Sequence, residues 1–459
     1  MARLRLSEIA AGTGGTLLRG DPSLVFERFG FDSRQTQAGE LFFALIGERD
    51  GHDYVKHAAE RGAKGAVTAH DVSVPDKNFA IIRVSDTLTA LHLLAKSVLE
   101  REKVRVVGIT GSAGKTTTKD FTASFLSPGF RVLKSPKSFN NQIGLPMTLL
   151  ELEDKHDIVV LEMGMNHPGE IKTLTGIAPP DVAVITNINP VHLEFFDDLE
   201  GIALAKKEIL DGTKPHGTAV LNGDDAQIKK IASGWKGKKV FFSFDGEGRV
   251  RVQNVQKSIF ESSTLELVYG TKRRRMTLPL FYESHLKNFL AAAAAAYTLA
   301  VPLDDIQNQA QLLKPVDMRG TLHRIGKTIV VDESYNSNPV ALSTILDDLS
   351  RVSSRRKVAV LGDMLELGDR EDEFHRDAGL TVARLGWDVL ITVGPAARRM
   401  AEAALQAGMD VDRVHSFRDS DEASGRILPL LNGGDLILVK GSRGTRTEKI
   451  VAKIKSEGI

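Results

Sequence analysis

The chain has 459 residues, 42% of them hydrophobic and 26% charged, a net charge of +1 and no cysteine. A single core rarely grows past ~250–300 residues, so about three domains are expected in a soluble protein with no global field for nucleic acid or an anionic membrane. Disulfides and thiolate chemistry are excluded, and neither the opening Met1-Ala-Arg-Leu-Arg-Leu-Ser7 nor any other run has the apolar length of a signal peptide or of a ~18-residue membrane span, so a cytoplasmic protein is expected.

In chain order, residues 1–84 read as a small α/β unit. Gly12, Gly14 and Gly15 have the wrong spacing for a dinucleotide fingerprint and read as a turn. Phe42-Phe-Ala-Leu45 predicts a short strand, Tyr54–Gly62 a helix and Gly65–Thr68 a second strand. Asp32, Ser33 and Arg34 offer groups that can bind a diphosphate-sugar nucleotide, or that cap and pair within a turn. Residues 86–101 have the period of an amphipathic helix joining this unit to the next.

The second unit, 85–314, opens on an apolar β-branched run, Val104–Thr110, that reads as a buried strand. Gly111-Ser112-Ala113-Gly114 then predicts a turn, and Lys115-Thr116 the start of a helix that continues through Thr117. In such a strand–turn–helix the loop N–H groups cradle phosphates, with Lys115 on the terminal phosphates and the Thr116 hydroxyl on Mg²⁺. The motif is the short Gly-x-x-Gly-Lys-Thr form, because Ile109 stands where the longer version has its first glycine.

Lys137–Pro146 follows as a polar, turn-rich segment suited to facing a substrate. Asp157–Gly164 reads as a buried parallel strand that delivers Glu162 to the sheet edge where α/β folds bind ligands. Glu162 is a candidate Mg²⁺ ligand or a paired structural carboxylate. The strand Asp181–Thr186 repeats the pattern and leads to His192, which is either structural or a metal or phosphate contact. Lys206 and Glu208 fall on a predicted helix. Lys272-Arg-Arg-Arg275 sits between strand-like segments and reads as a solvated hairpin. Glu283–Asn288 precedes a predicted helix, Phe289–Ala300, whose six alanines suit close packing.

The third unit, 315–459, alternates strand signals (Thr328–Asp332, Lys357–Leu361, Asp388–Val393, Asp435–Val439) with helical stretches, the pattern of a doubly wound parallel sheet. Polar loops follow three of these strands: Asp332–Pro339, Gly362–Gly368 and Lys440–Arg443. Three such loops on one sheet edge indicate a site.

The phosphate loop, Leu161-Glu-Met-Gly164, Asn189-Pro-Val-His-Leu-Glu194, Ala205-Lys-Lys-Glu-Ile209 and Asp332-Glu-Ser-Tyr-Asn-Ser-Asn-Pro339 together resemble the Mur ligase family, in that family's order and across all three units. The resemblance implies a small α/β N-terminal UDP-binding domain, a central P-loop ATPase-like, mostly parallel sheet, and a C-terminal Rossmann-like domain. Within the family, Tyr335–Pro339, the Gly-Asp-Met-Leu-Glu-Leu-Gly loop and Lys-Gly-Ser-Arg are similar to the branch that adds D-alanyl-D-alanine to UDP-N-acetylmuramoyl-tripeptide. The Asp-Asn-Pro-Arg motif of the branch adding the third amino acid is not found, and a folate ligase would have no need of the Asp-Ser-Arg unit.

The implied cofactors are ATP and Mg²⁺, and the implied partners are those two substrates of a monomeric ligase without nucleic acid. Carried over residue by residue, Gly111 to Thr117, Asn288, Arg319 and Asp332 would hold the nucleotide. Thr116, Glu162, His192 and Lys206 would hold metal, Lys206 only after carbamylation; Lys115 joins Glu162, His192 and Lys206 as the catalytic set. Asp32, Ser33 and Arg34 would take the UDP end, Asn140 and Asn141 the muramoyl-peptide, and Tyr335, Asn336, Asn338 and Ser442 the dipeptide. Nucleotide contacts from both the middle and last domains imply that the last domain closes on the nucleotide. The chain departs from the family's Gly-x-His-Asn-x-x-Asn pattern at Leu286, and has Thr447 where Met often precedes the glutamate after Lys-Gly-Ser-Arg.

Overall fold

The computed structural model describes residues 2–458 apart from 192, 197, 259, 281, 353 and 354. Besides a two-stranded pairing of Leu4–Arg5 with Val25–Phe26, three larger sheets follow one another along the described chain. The first runs Thr16–Arg19, Ala80–Arg83, Gly65–Thr68, Leu41–Phe43, Phe29–Gly30, parallel except for its Thr16–Arg19 edge. The Phe42 strand begins one residue earlier than predicted and stops at Phe43, where the Leu45 N–H folds back onto the Phe43 carbonyl (2.9 Å). The segment predicted as a helix from Tyr54 begins as a 3₁₀ turn, Gly51–Tyr54, and is α-helical over Val55–Glu60.

A buried imidazole ties two exits of this sheet together. His52 Nε2 accepts the Ala69 N–H (2.7 Å), which places the ring proton on Nδ1, and Nδ1 donates to Asp50 Oδ1 (2.5 Å). His70 stacks on His52 with ring centroids 3.7 Å apart and reaches the other Asp50 oxygen (3.0 Å). The His52 backbone N–H, helped by the two rings, holds the Asp50 carboxyl at about 2, below its usual 3.8.

The helix Thr87–Glu102, capped by Asp86, packs against Leu6–Thr13 on one side and Gly144–Leu149 on the other. Its Leu91, Leu94 and Val98 belong to one apolar cluster that runs from Leu4 and Leu6 through to Val106 and Leu161. The first unit and half of the second therefore share a core, which limits rotation of one against the other.

The central sheet has nine strands, in the order Lys272–Leu278, Ser262–Tyr269, Val250–Ser258, Lys238–Ser243, Thr218–Asn222, Val182–Ile185, Arg105–Thr110, Ile158–Glu162, Val132–Lys134. It is parallel except for the meander formed by its first three members. Lys272 to Arg275 open the outer strand of an antiparallel hairpin with Ser262–Tyr269, at the sheet's edge, with Arg274 paired to Asp304 (2.8 Å). Charge on an exposed edge discourages further strand pairing. The segment Glu283–Asn288, predicted to precede a helix, is that helix's first turns (Glu283–Thr298). Its alanines, Ala291 to Ala296, are fully buried and let it lie close against the helix Lys115–Leu126.

The third sheet runs Thr321–Ile325, Thr328–Glu333, Leu436–Lys440, Lys357–Gly362, Val389–Val393, Val414–Phe417. Only Thr321–Ile325 is antiparallel. This strand and Val414–Phe417 carry no strong sequence signal, being short edge strands with polar residues.

Asp50→Ala removes the acceptor of a buried ring N–H, a loss of ~1–3 kcal/mol, read as a lower denaturant midpoint with unchanged slope. A lowered carboxylate pKa contributes stability that is fully present above 3.8 and lost as pH falls through about 2. The wild-type advantage over Asp50→Ala is therefore expected to narrow across that interval in acid titrations.

Candidate active site

The strand Arg105–Thr110 is buried and ends at Gly111 (φ +153°), with Gly114 (φ +82°) capping the helix that Lys115 opens. Both glycines are required by space as well as by backbone: a Cβ on Gly111 would collide with Thr186 Oγ1, and one on Gly114 with Asn288 Oδ1. The loop between them is moulded from outside. Asn187 Oδ1 accepts the Ala113 N–H (2.9 Å), the Thr186 hydroxyl donates to the Ala113 carbonyl (2.7 Å), and the Ser112 hydroxyl donates to Asn189 O (2.9 Å). Asn187 escaped the sequence reading because its partner lies 74 positions away.

Lys115 bends back so that Nζ donates to Gly111 O (2.8 Å). Burial pushes its ammonium below the usual lysine range, Glu162 opposes the shift and Arg319 adds to it. The Thr116 hydroxyl donates to Glu162 Oε2 and the Asn140 amide to Glu162 Oε1, both at 2.8 Å. A hydroxyl and a carboxylate at a phosphate loop are hard oxygen donors, and they fit Mg²⁺.

Lys206 lies on the helix Leu199–Asp211, only 2% exposed, and among the described residues no hydrogen bond or ion pair to it is found. Burial, with the Lys115 charge beside it, pushes its ammonium well down. His192 lies outside the described residues.

Lys119, one turn along the phosphate-loop helix, is also buried; its Nζ donates to Ser135 O (2.7 Å) and Lys137 O (2.6 Å). It thereby pins the loop that presents Ser138 and Asn140. Asn141, expected at the substrate, instead uses Oδ1 to accept the Gly144 N–H (2.9 Å) and does not line the cleft.

Asn288 stands over Gly114, with Thr118 Oγ1 3.4 Å from its Oδ1. Leu286, where the family pattern has Asn, is fully buried in the apolar cluster beneath. From the last domain, the Arg319 guanidinium lies 3.8 Å from the centre of the Tyr335 ring, and the Tyr335 hydroxyl donates to Ser138 Oγ (2.6 Å).

Asp332 does not reach the cleft: its carboxylate accepts the Ser334 hydroxyl (2.5 Å) and faces His323 Nε2 (3.3 Å). Strand alternation turns the next residue, Glu333, into the cleft instead, where Lys440 Nζ meets it at 3.1 Å. Lys440 also donates to Asn336 O (2.9 Å). The motif reading passed over both Glu333 and Lys440.

Asn336, Asn338 and Ser442 line the cleft, with side chains engaged to backbone. Asn336 Oδ1 accepts from Ser337 N (2.9 Å), Asn338 caps the helix Pro339–Ser350, and Ser442 Oγ accepts from Leu365 N (3.0 Å). The cleft is ≈ 860 Å³ and draws its walls from both the middle and last domains. Asp32, Ser33 and Arg34 lie outside it. Asp32 holds Arg34 by two bonds of 2.9 Å, which lower its carboxyl to about 2, and Ser33 Oγ meets His57 Nδ1 at 3.0 Å. Asp32 and Arg34 thus pair within a turn, while Ser33 reaches His57 on the helix Val55–Glu60.

Residues 109–296 match the Mur ligase middle domain, and residues 318–443 the Mur ligase, glutamate ligase domain. The chain belongs to the Mur ligase family. It is 34% identical over 455 residues to the UDP-N-acetylmuramoyl-tripeptide–D-alanyl-D-alanine ligase of Bacillus subtilis, covering 98% of each chain. It is 31% identical over 474 residues to the Escherichia coli ligase of the same name, covering 100% of each. Among solved structures it is similar to MurF from Acinetobacter baumannii (TM-score 0.89, 30% identity, 100% of both chains). It is also similar to MurF ligase from Thermotoga maritima in complex with ADP (TM-score 0.82, 29% identity, 94% of this chain and 97% of that one).

Gly114→Ala forces a side chain into a left-handed backbone, a cost of ~1–2 kcal/mol, and drives its Cβ into Asn288. ADP affinity, measured with a fluorescent analogue, is expected to fall about five- to thirtyfold at ~1.4 kcal/mol per decade.

Proposed function

We propose that this chain is an ATP-dependent ligase that joins D-alanyl-D-alanine to UDP-N-acetylmuramoyl-tripeptide in peptidoglycan-precursor synthesis. One observation carries the reading: full-length similarity to ligases of that name coincides with a cleft shared by a phosphate loop and the last domain's polar loops. We read the protein as cytoplasmic and monomeric, without a nucleic-acid partner; among the described residues no helix is long and apolar enough to cross a membrane.

A carboxylate is a poor electrophile, and phosphorylation supplies the missing leaving group. The tripeptide's terminal carboxylate attacks the γ-phosphorus of ATP, the bond to the β-phosphate oxygen breaks, and an acyl phosphate and ADP result. The neutral amine of the dipeptide then attacks the acyl carbon, phosphate departs, and the nitrogen loses its extra proton. Three anionic reactants must be held together, which requires fixed positive charge in a site shielded from water. Lys115 and the loop N–H groups of Gly111 to Thr117 provide it at the phosphates, and Arg319 from the opposite domain. Thr116 and Glu162, oriented by Asn140, would hold Mg²⁺, which when bound would neutralise the phosphate oxygens.

Asn288 is read as the adenine contact. Asn336, Asn338 and Ser442 are read at the dipeptide end, and Asp32, Ser33 and Arg34 at the UDP end. Asn140 faces the muramoyl-peptide, with Asn141 supporting its loop, and Glu333 takes the cleft-facing place beside Asp332.

His192 and Lys206 complete the set as ligands of a second metal. A lysine ammonium has three donors and no acceptor, so Lys206 can serve only as a carbamate, formed when its neutral amine adds to carbon dioxide and releases a proton. Its burial, with no hydrogen bond or ion pair among the described residues, supports that reading.

The direct test is phosphate release from ATP with a panel of UDP-muramoyl-peptides. Turnover is expected only with a tripeptide and D-alanyl-D-alanine together; release driven by a dipeptide substrate and a single amino acid would replace this reading with that of another family branch. Lys115→Ala removes a contact worth ~3–4 kcal/mol in the transition state, so kcat is expected to fall at least ~100-fold with the melting curve intact. Lys206→Ala is expected to be nearly inactive and partly restored by formate or acetate. Retention of most activity would remove Lys206 from the metal set.

A further inference from the structure

The Tyr335 hydroxyl spans the two walls of the cleft. Its ring belongs to the loop after the strand Thr328–Glu333 of the last domain, while Ser138 sits on the middle domain, 197 positions earlier. The middle-domain half of this bond is fixed from three directions. Lys119 holds the carbonyls of Ser135 and Lys137, and two residues past Ser138 the Asn140 amide is bound to Glu162 while its carbonyl accepts the Gly164 N–H (2.8 Å).

The last-domain half is fixed as well. The Tyr335 amide donates to Met318 O (3.2 Å), and Met318 is held at φ +61°. The next residue, Arg319, places its guanidinium on the Tyr335 ring and gives its carbonyl to His285 Nε2 (3.0 Å) on the middle-domain helix. Arg319 also bears on the Lys115 ammonium, so the ring that carries the latch carries the cation facing the phosphate loop.

We propose that Tyr335 is a positioning residue whose hydroxyl, bonded to Ser138, holds the last domain closed with Arg319 aligned on the phosphate loop. This rests on the ligase reading above and assigns Tyr335 to closure rather than to the dipeptide. Its rigid ring supports Arg319 from below, and its hydroxyl reports closure to the loop that orients Glu162. The bond exists only when the domains meet, so it biases the closed state without adding affinity to the open one.

The experiment is a double-mutant cycle in the full chain with Tyr335→Phe, Ser138→Ala and the pair. Each variant is read by kcat, by KM for the dipeptide, and by small-angle scattering with and without Mg²⁺ and ADP. Tyr335→Phe keeps the ring on Arg319 and removes only the hydroxyl. Each single variant is expected to lower kcat about tenfold, the scale of one lost hydrogen bond, with KM for the dipeptide within about twofold. The double variant should be no worse than either single one, because both remove the same bond. Scattering should show all three equally less compact than wild type with nucleotide bound.

A rise in dipeptide KM of about fivefold or more for Tyr335→Phe but not for Ser138→Ala would make the hydroxyl a substrate contact and overturn the latch. Additive losses, or wild-type kcat and compaction in both single variants, would overturn it equally. The scattering arm needs no dipeptide. If wild type fails to use D-alanyl-D-alanine while the three variants share one compaction defect, the latch stands and the substrate assignment falls.

Discussion

The cleft depends on how closely the helix Glu283–Thr298 can approach the helix Lys115–Leu126. Ala291 to Ala296 give that approach its length, since a methyl is the largest side chain on six successive positions. Gly114 gives it its end point, where the missing Cβ leaves room for the Asn288 amide. The first turns of the same helix carry His285, which takes hold of the Arg319 carbonyl. One packing distance therefore sets the phosphate loop, the side chain above it and the attachment of the last domain. A larger residue anywhere along the alanine run would be felt at all three, because close-packed interiors transmit strain.

The second constraint is electrostatic. Lys119 and Lys206 are buried and Lys115 is half-buried; Glu162 acts on Lys115 and Lys119, and burial lowers the proton affinity of all three amines. Lys119 is compensated by two backbone carbonyls and lies 3.7 Å from Asp120, whereas no hydrogen bond or ion pair to Lys206 is found among the described residues. Buried charge of one sign is costly unless a partner arrives. Phosphate oxygens are partners of the right sign, and a carbamate on Lys206 would be another. The site is preorganised for anions, with its cost met elsewhere in the core.

The first unit does not stand apart in packing. Its apolar residues merge with the central core through the helix Thr87–Glu102, while half-buried Asp32 and exposed Arg34 pair on the C-terminal side of the strand Phe29–Gly30. A shared core of this kind holds Asp32 and Arg34 at a set distance from the phosphate loop. The last domain is attached differently: Tyr282, just before the helix Glu283–Thr298, is buried in its apolar cluster, and polar contacts such as His285 to Arg319 and Tyr335 to Ser138 span the cleft. Polar contacts across a cleft can break and reform without exposing a core, which suits the moving part of a ligase.

Sequence alone determined whatever depends on near neighbours. The apolar β-branched runs that became the parallel strands, the glycines and lysine of the phosphate loop, and Glu162 at a strand end could all be read directly, because turn geometry, strand burial and helix start are local. The family motifs added the order of the three domains. What only the tertiary structure decided were pairings between distant positions and the face each residue presents. Asn187 moulds the phosphate loop from 74 positions away, and Ser138 meets Tyr335 across 197. Asp332 and Glu333 are adjacent acids in one motif, yet only the packing of their strand sends Glu333 into the cleft and Asp332 to Ser334 and His323. Asn140 and Asn141 divide in the same way, one to Glu162 and the other to a helix cap. Residue type is written in the chain, but the partner that uses up its hydrogen bonds is chosen only when the layers close.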